Sequence, residues 1–312
     1  MVETDTAHSC ARGTGSDFLL VARQLRYGLE AALVYLIYGF FWMLPLPAAS
    51  ALGGRIMRLI GPHLGLSKVG QGNLSLAFPE KSTAEKNKIM DGMWDNLGRV
   101  AGEYPHLRRI GPQVELVGRN FAEAMRDGGK PALMFAGHLG NWEIPALRCQ
   151  TGLGIHIVYR EPNNTHVDNL LQHARRFGCI GQIKKGKRGA REIVTALHKS
   201  GVIGMLVDQK LNDGSSIPFF GHDAMTAPAI AHFSLKFDCP IYPFRTERLE
   251  GCRFRATVYP PMTIARTGDK DADVKRILQD INMVLEGWVR ERPEQWLWIH
   301  RRWPKAPPPQ AA

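Results

Sequence analysis

Residues 131–136 (PALMFA) form a short run without a polar side chain, and this run limits the folds open to the chain. A strand that is apolar on both faces belongs in a sheet that is covered on both sides. Further strands are predicted at 114–117, 155–159, 202–207, 241–244 and 253–259. Helical patterns lie between or beside them at 83–98, 120–126, 165–177, 187–199, 228–236 and 272–290. This alternation predicts an α/β fold with a mostly parallel or mixed central sheet flanked by helices.

An apolar segment without a charged side chain covers residues 31–54. It is long enough for a membrane-spanning helix of about 20 residues, but Pro45 and Pro47 interrupt it. A tilted single span, a re-entrant segment, an interfacial hairpin with a second helix over 48–60, and a buried core helix all fit this pattern. Aromatic side chains between 35 and 42 favour the membrane, because amphipathic rings settle at the headgroup level.

These patterns divide the chain into four parts. We predict a flexible tail over 1–17, a membrane-anchoring helical segment over 18–60, a catalytic domain over 61–303 and a Pro-rich tail over 304–312. Arginines flank the apolar segment on both sides, so charge counting does not decide its orientation.

The formal net charge of +11 favours acidic partners: nucleic acid, anionic lipid headgroups or an acidic carrier protein. The sequence contains no zinc-finger spacing, RNA-binding aromatic signature or basic zipper, which disfavours nucleic acid. Neither an HExxH motif nor clustered Cys and His residues indicate a metal. The basic run at 184–188 lacks the Walker pattern; it is either a solvated face or a contact for a phosphate or an acidic carrier protein.

The most informative local motif is GHLGNWE at 137–143, directly after the apolar strand. On one continuous helix, His138 and Glu143 would lie about 140° apart and could not pair. A turn through Gly137 and Gly140 can bring them together, so that the carboxylate orients the imidazole as a general base. The residues alone do not distinguish this catalytic interpretation from a structural interpretation, in which His138 packs or caps and Glu143 pairs with Arg148.

Several ordered motifs resemble the lipid A biosynthesis acyltransferases, within the His-x4-Asp/Glu glycerolipid acyltransferase superfamily. GHLGNWE resembles the His-x4-Asp/Glu motif, and five further segments follow the family's order: NLSLAFPEKSTAEK at 73–86, IVYREPNN at 157–164, GVIGMLVDQ at 201–209, IPFFGHDAMTAPAIA at 217–231 and RPEQWLWIHRRW at 292–303. Pro228 departs from the small residue often found there, but this departure leaves the His-Glu pair untouched. The resemblance covers roughly residues 20–303.

The resemblance implies transfer of a fatty acyl chain from acyl carrier protein to a hydroxyl of a lipid A precursor, without a cofactor. It implies catalytic roles for His138 and Glu143 and substrate-binding roles for Arg175 and Asp208. Arg175 is expected to bind a phosphate or the acyl carbonyl, with Asp208 orienting it, although the neighbouring Arg176 is an alternative. The implied location is the cytoplasmic face of the bacterial inner membrane.

Three other functions remain open at this point. The same chemistry can act on a lysophospholipid or another glycolipid, the chain can be a non-catalytic lipid-binding protein at the membrane, or it can be a metal-dependent lipid hydrolase.

Overall fold

The computed structural model describes residues 14–144 and 146–303. The predicted tail 304–312 and residues 1–13 of the predicted N-terminal tail lie outside the described residues. Nine strands are described: β1 Glu115–Val117, β2 Ala132–Ala136, β3 Ile155–Tyr159, β4 Gly181–Lys184, β5 Val202–Leu206, β6 Ser215–Phe219, β7 His222–Thr226, β8 Ile241–Glu250 and β9 Arg253–Val258.

The described residues also form eleven α-helices. The helices are α1 Thr14–Met43, α2 Leu46–Ile60, α3 Leu66–Ala77, α4 Thr83–Glu103, α5 Leu107–Ile110, α6 Arg119–Asp127, α7 Ala146–Thr151, α8 Thr165–Arg175, α9 Lys187–His198, α10 Ala229–Phe237 and α11 Lys270–Glu291. Residues 14–17, predicted as part of the tail, belong to α1.

Seven strands form one sheet in the order β1-β9-β8-β2-β5-β3-β4. All neighbouring pairs are parallel except β8 and β9, which are antiparallel. Strands β6 and β7 form a separate antiparallel hairpin. The predicted α/β fold with a mostly parallel, mixed central sheet is therefore confirmed.

The central strand β2 explains why its sequence is apolar throughout. Leu133 and Phe135 pack into the larger core, against residues of α9, α10 and α11. Ala132 and Met134 point to the opposite face and pack against residues of α6 and α7. All four side chains are buried, because helices cover both faces of the sheet.

The apolar N-terminal segment forms two consecutive helices. Helix α1 ends at Met43, and α2 begins at Leu46 with Pro47 in its first turn, where a missing N–H costs little. The second helix that the hairpin interpretation places over 48–60 lies within α2. Across residues 14–144 and 146–303, no helix has both the length and the apolar character needed to span a membrane.

Helix α2 packs closely on α4 because glycines line the contact. A Cβ built on Gly53 would lie 2.2 Å from the carbonyl oxygen of Gly98, and one on Gly102 would lie 2.3 Å from that of Ala49. Only glycine allows the two backbones this approach. The contact fixes the N-terminal helices on the domain that carries the functional site.

Candidate active site

Two paired strands end side by side at the carboxyl edge of the sheet, and each is followed by a predicted site residue. Strands β2 and β5 run parallel, with Ala136 paired to Leu206. His138 and Asp208 each lie two residues beyond that pair. Equal offsets from paired positions bring the two residues together at the sheet edge where ligands bind in open α/β sheets.

Asp208 holds His138 through two hydrogen bonds. The imidazole Nδ1 lies 2.7 Å from Oδ1, and the backbone N–H of His138 donates to Oδ2 at 2.7 Å. Burial alone would raise the pKa of Asp208, but the charge and hydrogen bonds of His138 outweigh it and hold the pKa well below its ordinary value. An ionised carboxylate can only accept a hydrogen bond, so Nδ1 carries the proton, which leaves Nε2 as the basic nitrogen of the neutral ring.

The C-terminal segment completes this arrangement. The indole Nε1–H of Trp296 donates to Oδ2 of Asp208 at 2.8 Å, so the buried carboxylate has a third donor. The backbone N–H of Leu297 donates to the carbonyl oxygen of His138 at 3.1 Å. Trp296 is fully buried, and its indole helps to fix the carboxylate that binds the His138 ring.

The loop after His138 depends on Gly140. Its φ of +56° is in the left-handed region, and an added Cβ would lie 2.5 Å from the carbonyl oxygen of Thr246. Its N–H donates to the carbonyl oxygen of Gln295 at 3.1 Å. The turn that the sequence predicts here is therefore confirmed for Gly140, but it does not bring Glu143 to the imidazole.

Glu143 instead forms a bidentate ion pair with Arg175. Nε of Arg175 donates to one carboxylate oxygen at 2.7 Å and Nη2 to the other at 2.5 Å. Burial alone would lower the pKa of Arg175, but the hydrogen bonds and charge of Glu143 outweigh it and raise the pKa above its ordinary value. Both side chains are largely buried, so the pair is shielded from water.

These contacts correct two pairings that were predicted from the sequence. The carboxylate bound to His138 is that of Asp208 and not that of Glu143, because strand register places Asp208 beside the imidazole. Arg175 binds Glu143 and not Asp208, because α8 delivers the guanidinium to the end of the loop. All four predicted residues nonetheless lie at one edge of the sheet.

His138, Glu143 and Arg175 line a single cleft of about 520 Å³, while Asp208 is fully buried. Apolar side chains from α9 and α10, including Ile193 and Ile230, form much of its wall. A narrower apolar cavity of about 150 Å³ shares Glu143 and Arg175 as part of its lining. The edge of Trp142 approaches the His138 ring, with 5.0 Å between ring centres. The site thus combines a basic nitrogen with mostly apolar surroundings.

The predicted basic run lies partly at this cleft. Lys184 and Lys185 line it, and Lys184 forms a 2.5 Å ion pair with Glu161. Arg188 is exposed and pairs with Glu192 on the next turn of α9. The run is therefore divided between the cleft rim and the solvent.

Sequence reasoning missed a buried polar network that supports the motif loop. Arg248 forms an ion pair with Glu103, at 2.5 Å, deep between α4 and the sheet. Glu103 also accepts hydrogen bonds from Asn141 at 2.8 Å and from Ser50 of α2 at 2.6 Å. Asn141 lies within GHLGNWE, which was the one available signal, but its partners are distant in sequence.

Comparisons with known proteins agree with this geometry. A family model described as bacterial lipid A biosynthesis acyltransferase matches residues 17–305. The chain is 28% identical over 242 residues to the lipid A biosynthesis myristoyltransferase of Escherichia coli (strain K12), which covers 73% of this chain and 72% of that protein. It is 24% identical over 292 residues to the lipid A biosynthesis lauroyltransferase of the same organism, covering 88% and 92%. A lipid A biosynthesis acyltransferase of Haemophilus influenzae is 24% identical over 247 residues, 73% of each chain.

The matched range contains the whole described site, and the resemblance carried by the six motifs is confirmed. The chain therefore belongs to the bacterial lipid A biosynthesis acyltransferase family, and it is an acyltransferase.

Proposed function

We propose that the chain transfers a fatty acyl group from the thioester of an acyl carrier protein to a hydroxyl of a lipid A precursor, with His138 as general base. The observation that carries this proposal is the 2.7 Å contact between Nδ1 of His138 and the buried carboxylate of Asp208. It fixes the tautomer in which Nε2 accepts a proton. Family membership supports acyl transfer in lipid A biosynthesis.

The proposed reaction is a direct transfer. Nε2 of His138 removes the proton of the acceptor hydroxyl as its oxygen attacks the thioester carbonyl carbon. The carbon–oxygen bond of the ester forms, the carbon–sulfur bond breaks, and the imidazolium returns the proton to the departing thiolate. Asp208 stabilises the imidazolium while it carries the proton.

Arg175 is proposed to stabilise the negative charge that develops on the carbonyl oxygen. Its Nε and one Nη2 hydrogen are bound to Glu143, so its remaining donors are free to bind substrate. Glu143 then contributes by holding the guanidinium at the cleft wall, and not by orienting the imidazole. Charge-assisted hydrogen bonds of this kind are stronger where water is excluded.

Basic side chains at the cleft rim support a carrier-protein donor. Arg160 and Lys185 line the cleft beside His138, and the chain has a net charge of +11. An acidic carrier protein would be attracted to this rim. With the same acyl group, the protein-bound thioester should therefore give a lower KM than the coenzyme A thioester, and this preference should weaken as salt is raised.

The proposed location is the cytoplasmic face of the inner membrane, with α1 resting on an anionic surface. Large apolar side chains on α1 are exposed at helical spacing: Leu25, Leu29, Leu33, Leu36, Phe40 and Met43. One stripe of this kind is typical of helices that lie in the membrane interface. Replacing Leu29, Leu33 and Leu36 by Ser should release the protein from anionic vesicles in co-sedimentation, whereas retained binding would contradict this placement.

The catalytic proposal is tested by His138→Ala. With acyl carrier protein thioester and a lipid A precursor, kcat should fall by about 10²–10⁴-fold, because the proton acceptor is gone. Mass spectrometry of the lipid product measures transfer, and an unchanged melting temperature shows that the variant is folded. Transfer at the parent rate would overturn the assignment of His138. Transfer only to lysophospholipids would support the acyltransferase chemistry but contradict the acceptor.

A further inference from the structure

A second groove lies next to the active site, between α1, residues 104–109 and α8. It has a volume of about 810 Å³ and is lined by aromatic side chains, among them Tyr38, Trp42 and Phe177. Tyr104 lines it as well, and this residue connects the groove to the active site. Burial, together with the nearby charge of Glu143, raises the pKa of Tyr104 well above its ordinary value. The groove therefore approaches the Glu143–Arg175 pair from the side of α1.

Two guanidinium groups from distant parts of the chain meet at the ring of Phe177: Arg108 lines the groove, and Arg176 lies at its edge. The Cζ atom of Arg108 lies 4.9 Å from the centre of the Phe177 ring, and that of Arg176 lies 4.7 Å from the same centre. Arg109 also lines the groove, next to Arg108. Arg176 contacts Nδ1 of His173 at 3.2 Å, which is a neutral partner when Nδ1 accepts the bond.

These arginines have no acidic neighbour in the groove. None of the lining residues is Asp or Glu. The two guanidinium groups share one ring and so lie at most about 10 Å apart, a distance at which salt screens their repulsion only in part. Cation–π contacts with Phe177 hold them in place and, apart from the contact of Arg176 Nη1 with His173, leave their N–H donors available to a ligand. A phosphate, which arginine binds with paired hydrogen bonds, would relieve the repulsion.

The surroundings indicate that such a phosphate belongs to an amphiphile. Tyr38 and Trp42 belong to both the groove lining and α1, whose outer face carries the exposed apolar stripe. A lipid bound here could place its anionic group on the arginines and its acyl chains along α1. Its polar part would then lie next to the cleft that contains His138.

We propose that Arg108 and Arg176 bind a phosphate group of the lipid acceptor and so set the position of its reactive hydroxyl. This inference rests on the proposed function, since it assumes a phosphorylated glycolipid acceptor. It assigns phosphate recognition to Arg176 and its partner, while Arg175 remains engaged by Glu143. Anionic phospholipids of the bilayer carry the same chemical group, and the test separates the two sources.

The test compares the double variant Arg108→Gln/Arg176→Gln with the parent in neutral detergent micelles. Two acceptors are used: a phosphorylated lipid A precursor and the same lipid after phosphatase treatment. The double variant should raise KM for the phosphorylated acceptor about 10- to 100-fold, because two charge-assisted hydrogen bonds to the phosphate are lost. It should leave KM for the dephosphorylated acceptor and for the acyl donor unchanged. Arg108→Lys/Arg176→Lys keeps both charges and should recover most of the affinity.

Lys270→Gln/Lys275→Gln is the matched control, since it removes two exposed charges on α11, away from the groove. An equal rise in KM for both acceptors, or no change in KM for either, would overturn the proposal. A loss that appears only on anionic vesicles and not in neutral micelles would also overturn it, and would assign the arginines to the bilayer. If the parent transfers no acyl group to any lipid A precursor, the proposed function fails. Binding of the two lipids to parent and double variant still tests the phosphate site in that case, and equal affinities would reject it.

Discussion

Two hydrogen-bonded pairs meet at the same cleft, but the fold holds them in different ways. His138 and Asp208 follow neighbouring parallel strands, and the strand register alone brings them together. Glu143 and Arg175 come from the motif loop and the end of α8, which meet only through tertiary packing. The first pair leaves Nε2 of the imidazole as the proton acceptor, with the side-chain amide nitrogen of Gln209 at 3.4 Å from it. The second pair satisfies both oxygens of its carboxylate and fixes a positive charge.

The two pairs give the two carboxylates separate roles: one orients an imidazole, and the other holds a guanidinium. A carboxylate that orients an imidazole must be ionised and aligned with Nδ1, as the buried Asp208 is. The carboxylate of Glu143 instead accepts from Arg175 on both oxygens, which directs it to the guanidinium and away from the imidazole. We therefore expect proton transfer to depend on Asp208, and the position of the positive charge to depend on Glu143.

The largest expected effect separates the two carboxylates directly. Asp208→Asn keeps the size of the side chain but removes the charge that stabilises the imidazolium, so kcat should fall by about 10²–10⁴-fold. KM for the acceptor should change little, because the amide does not alter the cleft wall. Steady-state transfer kinetics measure both constants. If Asp208→Asn retains full activity while Glu143→Gln abolishes it, Glu143 is the functional partner of His138 and our assignment is wrong.

The second prediction concerns the Glu143–Arg175 pair as a unit. Removing one partner, by Glu143→Gln or Arg175→Gln, leaves a largely buried charge unpaired and should lower the free energy of unfolding by about 3 kcal/mol. The double variant should lose less than the sum of the single losses, with a coupling of about 1–3 kcal/mol. Urea unfolding of the parent and the three variants measures this cycle.

The same variants show whether the pair is more than structural. The double variant should regain stability but not kcat, since Arg175 is proposed to stabilise the acyl carbonyl oxygen. Recovery of kcat together with stability would show that the pair serves only to hold the fold.

The sequence was sufficient to predict the sheet and the edge at which the site lies. The apolar strand at 131–136 and the alternation of strands and helices indicated both, because burial on two faces leaves a local pattern. The partner of His138 was not predictable in this way. Choosing between Asp208 and Glu143 requires the pairing of β2 with β5, which joins residues 70 positions apart. Asp208 was identified only through family resemblance and was given a different partner.

Trp296 shows a similar limit. Its motif was part of the resemblance, yet the bond from its indole N–H to Asp208 arises from a contact 88 residues away in sequence. Trp296→Phe retains the buried ring and removes one donor to the carboxylate. We expect about a tenfold or smaller fall in kcat and a loss of about 1 kcal/mol in unfolding free energy. Chemical unfolding and transfer assays test this, and a fall as large as that of Asp208→Asn would mean that the indole acts on the imidazole directly.

The smallest effect is a change in the unfolding free energy that is expected only at acidic pH. It tests the charge of Asp208 independently of acyl transfer. The pKa of Asp208 is lower in the folded protein than in the unfolded chain, so below the ordinary carboxyl value of about 4 the unfolded state binds the extra proton. Its stabilising contribution is therefore complete above that pH and is lost as the pH falls towards the folded-state pKa. Asp208→Asn has no such proton to bind, so its unfolding free energy should decline less steeply below pH 4 than that of the parent. Glu143→Gln is the matched comparison, measured in the same urea titrations. Parallel acid slopes for the parent and Asp208→Asn would mean that Asp208 is neutral beside His138, and the imidazole would then lack the charge on which its role as a base depends.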